Sequence, residues 1–116
     1  MHGEARIVAL GPYDGSTVAD PVEGHVTFKA RGLESGGTLS VFERDLAPGE
    51  SVPAHAHATQ EEALYVLAGE LRARLGEHTY ACAAGGFLLI PRGTRHAIAN
   101  EGGAPARMLS VLSPAS

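Results

Sequence analysis

The segment PAHAHATQEEALYVLAGE, residues 53 to 70, places His55 and His57 on alternate positions, follows them with Glu61 and Glu62, and runs into an apolar stretch. In an extended chain successive side chains point to opposite faces, so the two imidazoles share a face. Two imidazoles and a carboxylate on one face begin a metal site, which a third nitrogen would complete. The second half of the chain holds a candidate. GGFLLIPRGTRHAIAN, residues 85 to 100, reads as a buried strand, a turn built on Pro91 and Gly93, and a return strand carrying His96. Proline's fixed φ suits the corner and glycine tolerates the positive φ such a hairpin needs, so the turn aims His96 back along the sheet.

The elements that must position these groups are short β-type runs: 24–31, 37–46, 62–69, 70–76, 78–83, 86–90, 95–100 and 106–112. Turn signals separate them, among them ESGG at 34–37, PG at 48–49 and EGG at 101–103. Many short strands at roughly 8–12-residue spacing predict an all-β sandwich or barrel. No segment carries a helical period over three turns. Residues 11–24, crowded with Gly, Pro, Asp and Ser, predict an irregular N-terminal arm, so the chain divides into an arm over 1–23 and a β-domain over 24–116. ELRARLG alternates, with Leu71, Ala73 and Leu75 on one face and Arg72 and Arg74 on the other, as a half-exposed strand does. EALYVLAG is apolar on both faces, Leu64, Val66 and Ala68 against Ala63, Tyr65 and Leu67. Its second face needs a cover, either the arm or a second subunit, and a homodimer is expected.

From Gly49 the first segment spells G-x5-H-x-H-x4-E-x6-G, through His55, His57, Glu62 and Gly69. From Gly85 the second spells G-x5-P-x-G-x2-H-x3-N, through Pro91, Gly93, His96 and Asn100. Together these ten positions resemble the two signature motifs of the cupin superfamily, with residues 70–84 between them. The resemblance implies an all-β, single-domain cupin jelly-roll β-barrel. It also implies one metal in the barrel mouth, held by His55, His57, Glu62 and His96. Three neutral imidazoles and a carboxylate suit a divalent first-row transition metal (Fe, Mn, Ni, Co, Cu or Zn) and leave one or two positions open for water or substrate. Glu61 is the alternative carboxylate. Glu62 is preferred because the E-x-x-Y-V-L frame that follows it resembles the family's, which leaves Glu61 exposed. Asn100 and the motif glycines are expected to be structural.

The chain also resembles small single-domain relatives of quercetin dioxygenase-type cupins, which implies a metal-dependent, dioxygenase-like oxidoreductase acting on a small organic molecule, with Glu62 doubling as ligand and general base. Its short length leaves out a second cupin half, and with it the case for a flavonol substrate. A metal-dependent isomerase, lyase or decarboxylase of a small sugar or keto acid is the alternative, and a non-catalytic small-ligand module a third. A phosphorylated substrate would need arginines to converge at the mouth, with Arg44, Arg92 and Arg95 available.

The remaining residues take plainer readings. His2, His25 and His78 lie outside the motifs, Arg72, Arg74 and Arg92 read as a solvated face, and Phe28, Phe42, Tyr65 and Phe87 read as core, one of them a candidate for the pocket wall. Cys82 reads as a small buried side chain, and a single cysteine suits a reducing compartment. With 116 residues, 44% hydrophobic and 19% charged, one soluble domain is expected. The net charge of -4, with eight scattered arginines and Lys29, argues against nucleic-acid binding. No apolar run is long enough to span a membrane and the N-terminus has no secretion-signal pattern, so the expectation is cytoplasmic. Neither a phosphate-cradling loop nor a nucleophile elbow is present.

Overall fold

The computed structural model describes residues 4–20 and 24–115. Ten strands and one short helix follow in order: β1 (Ser16–Asp20), β2 (Gly24–Ala30), α1 (Gly32–Ser35), β3 (Ser40–Leu46), β4 (Ser51–His55), β5 (Glu61–Ala68), β6 (Glu70–Leu75), β7 (His78–Ala83), β8 (Phe87–Ile90), β9 (His96–Ala99) and β10 (Ala106–Ser113). They form a six-stranded sheet, β1-β2-β3-β10-β5-β8, and a four-stranded sheet, β4-β9-β6-β7. Every pairing is antiparallel. The crossing order, with β10 between β3 and β5, is that of a jelly roll.

The core is built from alternate positions of both sheets: Leu46, Leu64, Val66 and Met108 from one, Leu71, Ala73 and Ile98 from the other, all at most 3% exposed. The alternation in β6 holds, since Leu71 and Ala73 are buried while Arg72 and Arg74 face solvent. Cys82 belongs to this core, and burial pushes its thiol pKa up, as expected of an inert side chain. Gly86 packs against it so closely that an added Cβ would stand 2.5 Å from the Cys82 sulfur.

Three expectations are corrected, and one short helical turn is added. Residues 16–20 of the arm are a strand, not irregular chain; the β-branched Thr17 and Val18 pair with β2, and the Thr17 hydroxyl meets that of Thr27 at 3.0 Å. The first histidine of the pair closes a strand of its own, β4, whose register against β9 sets His55 opposite His96. A one-turn helix, α1, precedes β3 and ends on left-handed Gly36. Tyr65 and Phe87 are not core: they are 44% and 58% exposed, because among the described residues nothing covers the outer face of β5 and β8.

Candidate metal centre

His55 ends β4, His57 follows in the adjoining loop, Glu62 is the second residue of β5, and His96 opens β9. Their positions are set by backbone contacts between the two motifs. The Gly93 N–H donates to the His57 carbonyl at 2.8 Å, so the Pro91–Gly93 turn is fastened to the loop that carries His57. Gly93 has φ 76°, a conformation that favours glycine. At the opposite end of β9, the Gly49 N–H donates to the Asn100 carbonyl and the Asn100 N–H to the Glu50 carbonyl. Asn100 itself is 1% exposed; its amide donates to the carbonyls of Leu46 and Ala104 and accepts from Gly102 N–H, which accounts for it as a structural residue.

Potential ligand atoms of His55, His57, Glu62 and His96 lie within 4.8 Å of one another. Glu62 Oε1 is central, 3.5 Å from His57 Nε2 and 3.4 Å from His96 Nε2. Donors held about 2.0–2.2 Å from one ion stand roughly 3–3.5 Å apart, so these spacings fit a shared cation. The tautomers fit as well. His55 Nδ1 is 2.8 Å from the Pro53 carbonyl and His96 Nδ1 is 2.9 Å from the Thr94 carbonyl. A carbonyl only accepts, so in the neutral rings each Nδ1 carries the proton and each Nε2 keeps a lone pair, the arrangement usual for metal-bound histidines. His96 Nε2 is buried and has no hydrogen-bond partner, a position that ligation to a cation would satisfy.

Without a cation the electrostatics of the cluster centre on Glu62, which draws a proton toward His96 that a bound cation would displace. Burial opposes charge on Glu62, but the neighbouring His96, Ser110 and His57 outweigh it and hold the carboxyl below its usual range. His96 is raised, chiefly by the Glu62 carboxylate against the opposing effect of burial. His57 is lowered, first by burial and further by the neighbouring His55 and His96, with Glu62 opposing. The site is thus an anionic carboxylate among imidazoles, one of which holds its lone pair readily.

A cavity of about 220 Å³ opens over the cluster. Its remaining wall is mostly apolar, with Phe28, Phe42, Val52, Ile98 and Met108, and it includes one cationic side chain, Arg44. Phe28 and Phe42 therefore serve as pocket wall, 5.8 Å apart between ring centroids. The other arginines do not converge here. Arg92 pairs with Glu61 at 2.9 Å on the surface, and Arg95 lies with Arg74 at a separate cavity. Glu61 is exposed and turned away, as the period of the strand requires once Glu62 faces inward. His25 and His78 are exposed and outside the cluster, and His2 lies outside the described residues. Arg44 is the pocket residue that motif spacing did not single out; its signal was its place among inward-facing Ser40, Phe42 and Leu46 on β3.

A jelly roll whose mouth gathers three imidazoles and one carboxylate defines a small β-barrel protein able to hold a metal ion. The family described as "Cupin domain" matches residues 42–112, and the chain belongs to that family. It is 39% identical over 70 residues to the tetracenomycin polyketide synthase protein TcmJ of Streptomyces glaucescens, covering 60% of this chain and 47% of that protein. It is equally 39% identical over 69 residues to the polyketide synthase CurC of Streptomyces cyaneus, covering 60% of this chain and 45% of that protein. The chain thus spans about half the length of these curated relatives. In fold it is similar to a conserved protein with a double-stranded β-helix domain from Klebsiella pneumoniae, at a TM-score of 0.72 and 20% identity over 97% of this chain and 93% of that one. Among the described residues no helix is long and apolar enough to cross a membrane.

Proposed function

We propose that this chain is a metal-dependent enzyme acting on a small oxygen-bearing organic molecule, with dioxygenase-like oxidation as its reaction. The observation that carries this reading is the open cavity over four convergent donors, two of them with tautomers set by backbone carbonyls. A divalent transition metal held by His55, His57, Glu62 and His96 would supply Lewis acidity and, where redox-active, access to oxygen chemistry. The chain's own residues supply the rest. The apolar walls exclude water, and the buried Glu62 carboxylate, held ionised, is placed to accept a proton from a bound hydroxyl or enol. The single buried thiol is in keeping with work in a reducing compartment such as the cytoplasm.

A redox-neutral isomerase, lyase or decarboxylase chemistry is the second reading, favoured by the polyketide synthase names of the relatives. Polyketides are rich in enolisable carbonyls, which a cationic centre and a carboxylate base can activate without oxygen. Element-resolved metal analysis of untagged protein, paired with oxygen uptake on small diols and β-diketones, tests both. About one equivalent of iron, nickel, manganese or another first-row metal with substrate-dependent uptake upholds the first reading. Metal with turnover but no uptake replaces it with the second. Metal without any turnover makes the chain a binding module, and a site that takes up no metal refutes the proposal.

A further inference from the structure

Strand β3 points Ser40, Phe42, Arg44 and Leu46 inward, and all but Arg44 are buried small or apolar side chains. Arg44 sits opposite Val26 on β2 and Met108 on β10, between apolar neighbours, with its guanidinium 5.8 Å from the Phe42 ring centroid. It is the one cationic side chain among the described residues lining the cavity that holds His55, His57, Glu62 and His96, which places a guanidinium within the same enclosure as the four donors. An arginine carries five N–H donors in a planar fork matched to a carboxylate, so an existing contact on one edge leaves donors for another. The cavity of 220 Å³ is of the order of the ~150 Å³ that encloses a benzene ring, so it admits one ring or a short chain.

We infer that Arg44 is the substrate-anion residue of this cavity and that the substrate is a small carboxylic acid, its carboxylate on Arg44 and a second oxygen directed at the four-donor cluster. This rests on the metal-dependent reading above. The test compares wild type with Arg44→Gln and Arg44→Lys, each first analysed for metal and folding. Cobalt(II)-loaded protein is titrated with salicylate and glycolate and with the neutral salicylamide and glycolamide, and the visible cobalt bands are read. Arg44→Gln should keep its metal yet bind the acids at least tenfold more weakly, with the amides unchanged and Arg44→Lys restoring part of the loss. Equal affinity of wild type and Arg44→Gln for the acids would overturn the inference. If wild type takes up no metal, the metal-dependent reading fails separately, and ligand-observed NMR of the metal-free protein still decides whether Arg44→Gln loses the acids.

A different observation carries a second inference. On the outer face of the six-stranded sheet, register aligns Leu109, Tyr65 and Phe87 in one row and Val111, Ala63 and Leu89 in the next. No charge interrupts either row, and Tyr65, Phe87 and Leu89 are 44%, 58% and 58% exposed. The described residues of the arm do not cover them. The arm runs to the margin of this face, where the 73% exposed Tyr13 ring lies 4.2 Å from the guanidinium of Arg107 on β10. At about 200 Å² per ring, Tyr65 and Phe87 alone leave roughly 200 Å² open, and the exposed Leu67 and Leu89 enlarge the patch. A contiguous apolar patch of a few hundred Å² marks an interaction site more often than singly scattered apolar side chains do.

We propose that a second copy of this chain docks here, face to face about a twofold axis, so that each copy offers the same self-complementary patch. Sedimentation velocity between about 1 and 100 μM, the range that separates weak from firm association, should give a dimer for wild type. Leu89→Glu should give a folded monomer by circular dichroism, whereas Thr79→Glu on the other sheet should leave the dimer intact. Phe87→Ser serves if Leu89→Glu fails to fold. A monomeric wild type across this range, or a Leu89→Glu dimer of unchanged affinity, would overturn the proposal.

Discussion

Replacing Asn100 by alanine separates the residues that hold the site in place from those that make it. The Asn100 amide donates to the Leu46 and Ala104 carbonyls at 2.9 and 2.8 Å, and its oxygen accepts from Gly102 N–H at 3.0 Å. Each such bond contributes about 1 kcal/mol net, and stranding the buried Leu46 carbonyl adds a desolvation penalty, so the loss should reach roughly 3 kcal/mol or more. For a domain of this size that is a fall in Tm of about 10 °C, read by calorimetry and by a lower urea midpoint at unchanged m-value. Metal stoichiometry in the folded Asn100→Ala protein should stay at wild type, because none of the three bonds touches a ligand side chain. A shift under about 2 °C, or loss of metal without loss of stability, would refute the assignment of Asn100 to the scaffold.

Further outcomes follow from the site and its surroundings. His55→Ala or His96→Ala should abolish stoichiometric metal binding while the barrel stays folded; metal retained at unchanged affinity by either would show the ligand assignment to be wrong. Glu62→Gln should lower metal affinity by at least tenfold, whereas Glu61→Gln should leave it unchanged and, as loss of an exposed ion pair with Arg92, shift stability by no more than about 1 kcal/mol; titration of both variants checks the contrast. Gly86→Ala should destabilise by about 1–3 kcal/mol, because its Cβ would press on the Cys82 sulfur and the Ala83 carbonyl, and Cys82→Ala should relieve part of that loss in the double variant. For the metal-free protein the raised His96 stabilises at low pH and that gain is lost as pH rises through its folded value, while the lowered Glu62 stabilises at higher pH and that gain is lost as pH falls. The lowered His57 acts opposite to His96 and offsets it, so the outcome that remains is that of Glu62: metal-free Tm should fall as pH drops below the ordinary value of 4.5, and a fall of equal size in Glu62→Gln would contradict an ionised, stabilising Glu62.

The four-donor set was legible as what the ten-position resemblance to the cupin motifs implies, and local geometry was in keeping with it. Alternation placed His55 and His57 together, and a Pro-Gly turn returned His96 toward them. Glu62 rather than Glu61 also follows from the period of two, once Leu64 and Val66 are taken as the buried face. Most strands were legible because alternation and turn residues act within a few positions. β1 was not, because its short pairing run is flanked by turn-forming residues, and β2 had to be present to pair with it.

Other decisions belong to the tertiary structure alone. Arg44, Arg92 and Arg95 look alike in sequence, yet only Arg44 lines the cavity, because β3 lies between β2 and β10 and turns its even positions inward. Tyr65 and Phe87 looked like core by residue type and proved to be an uncovered face, because among the described residues no element packs on that side of β5 and β8. Residue type and spacing can select chemistry and local shape, but which side of a strand meets another layer depends on partners distant in sequence.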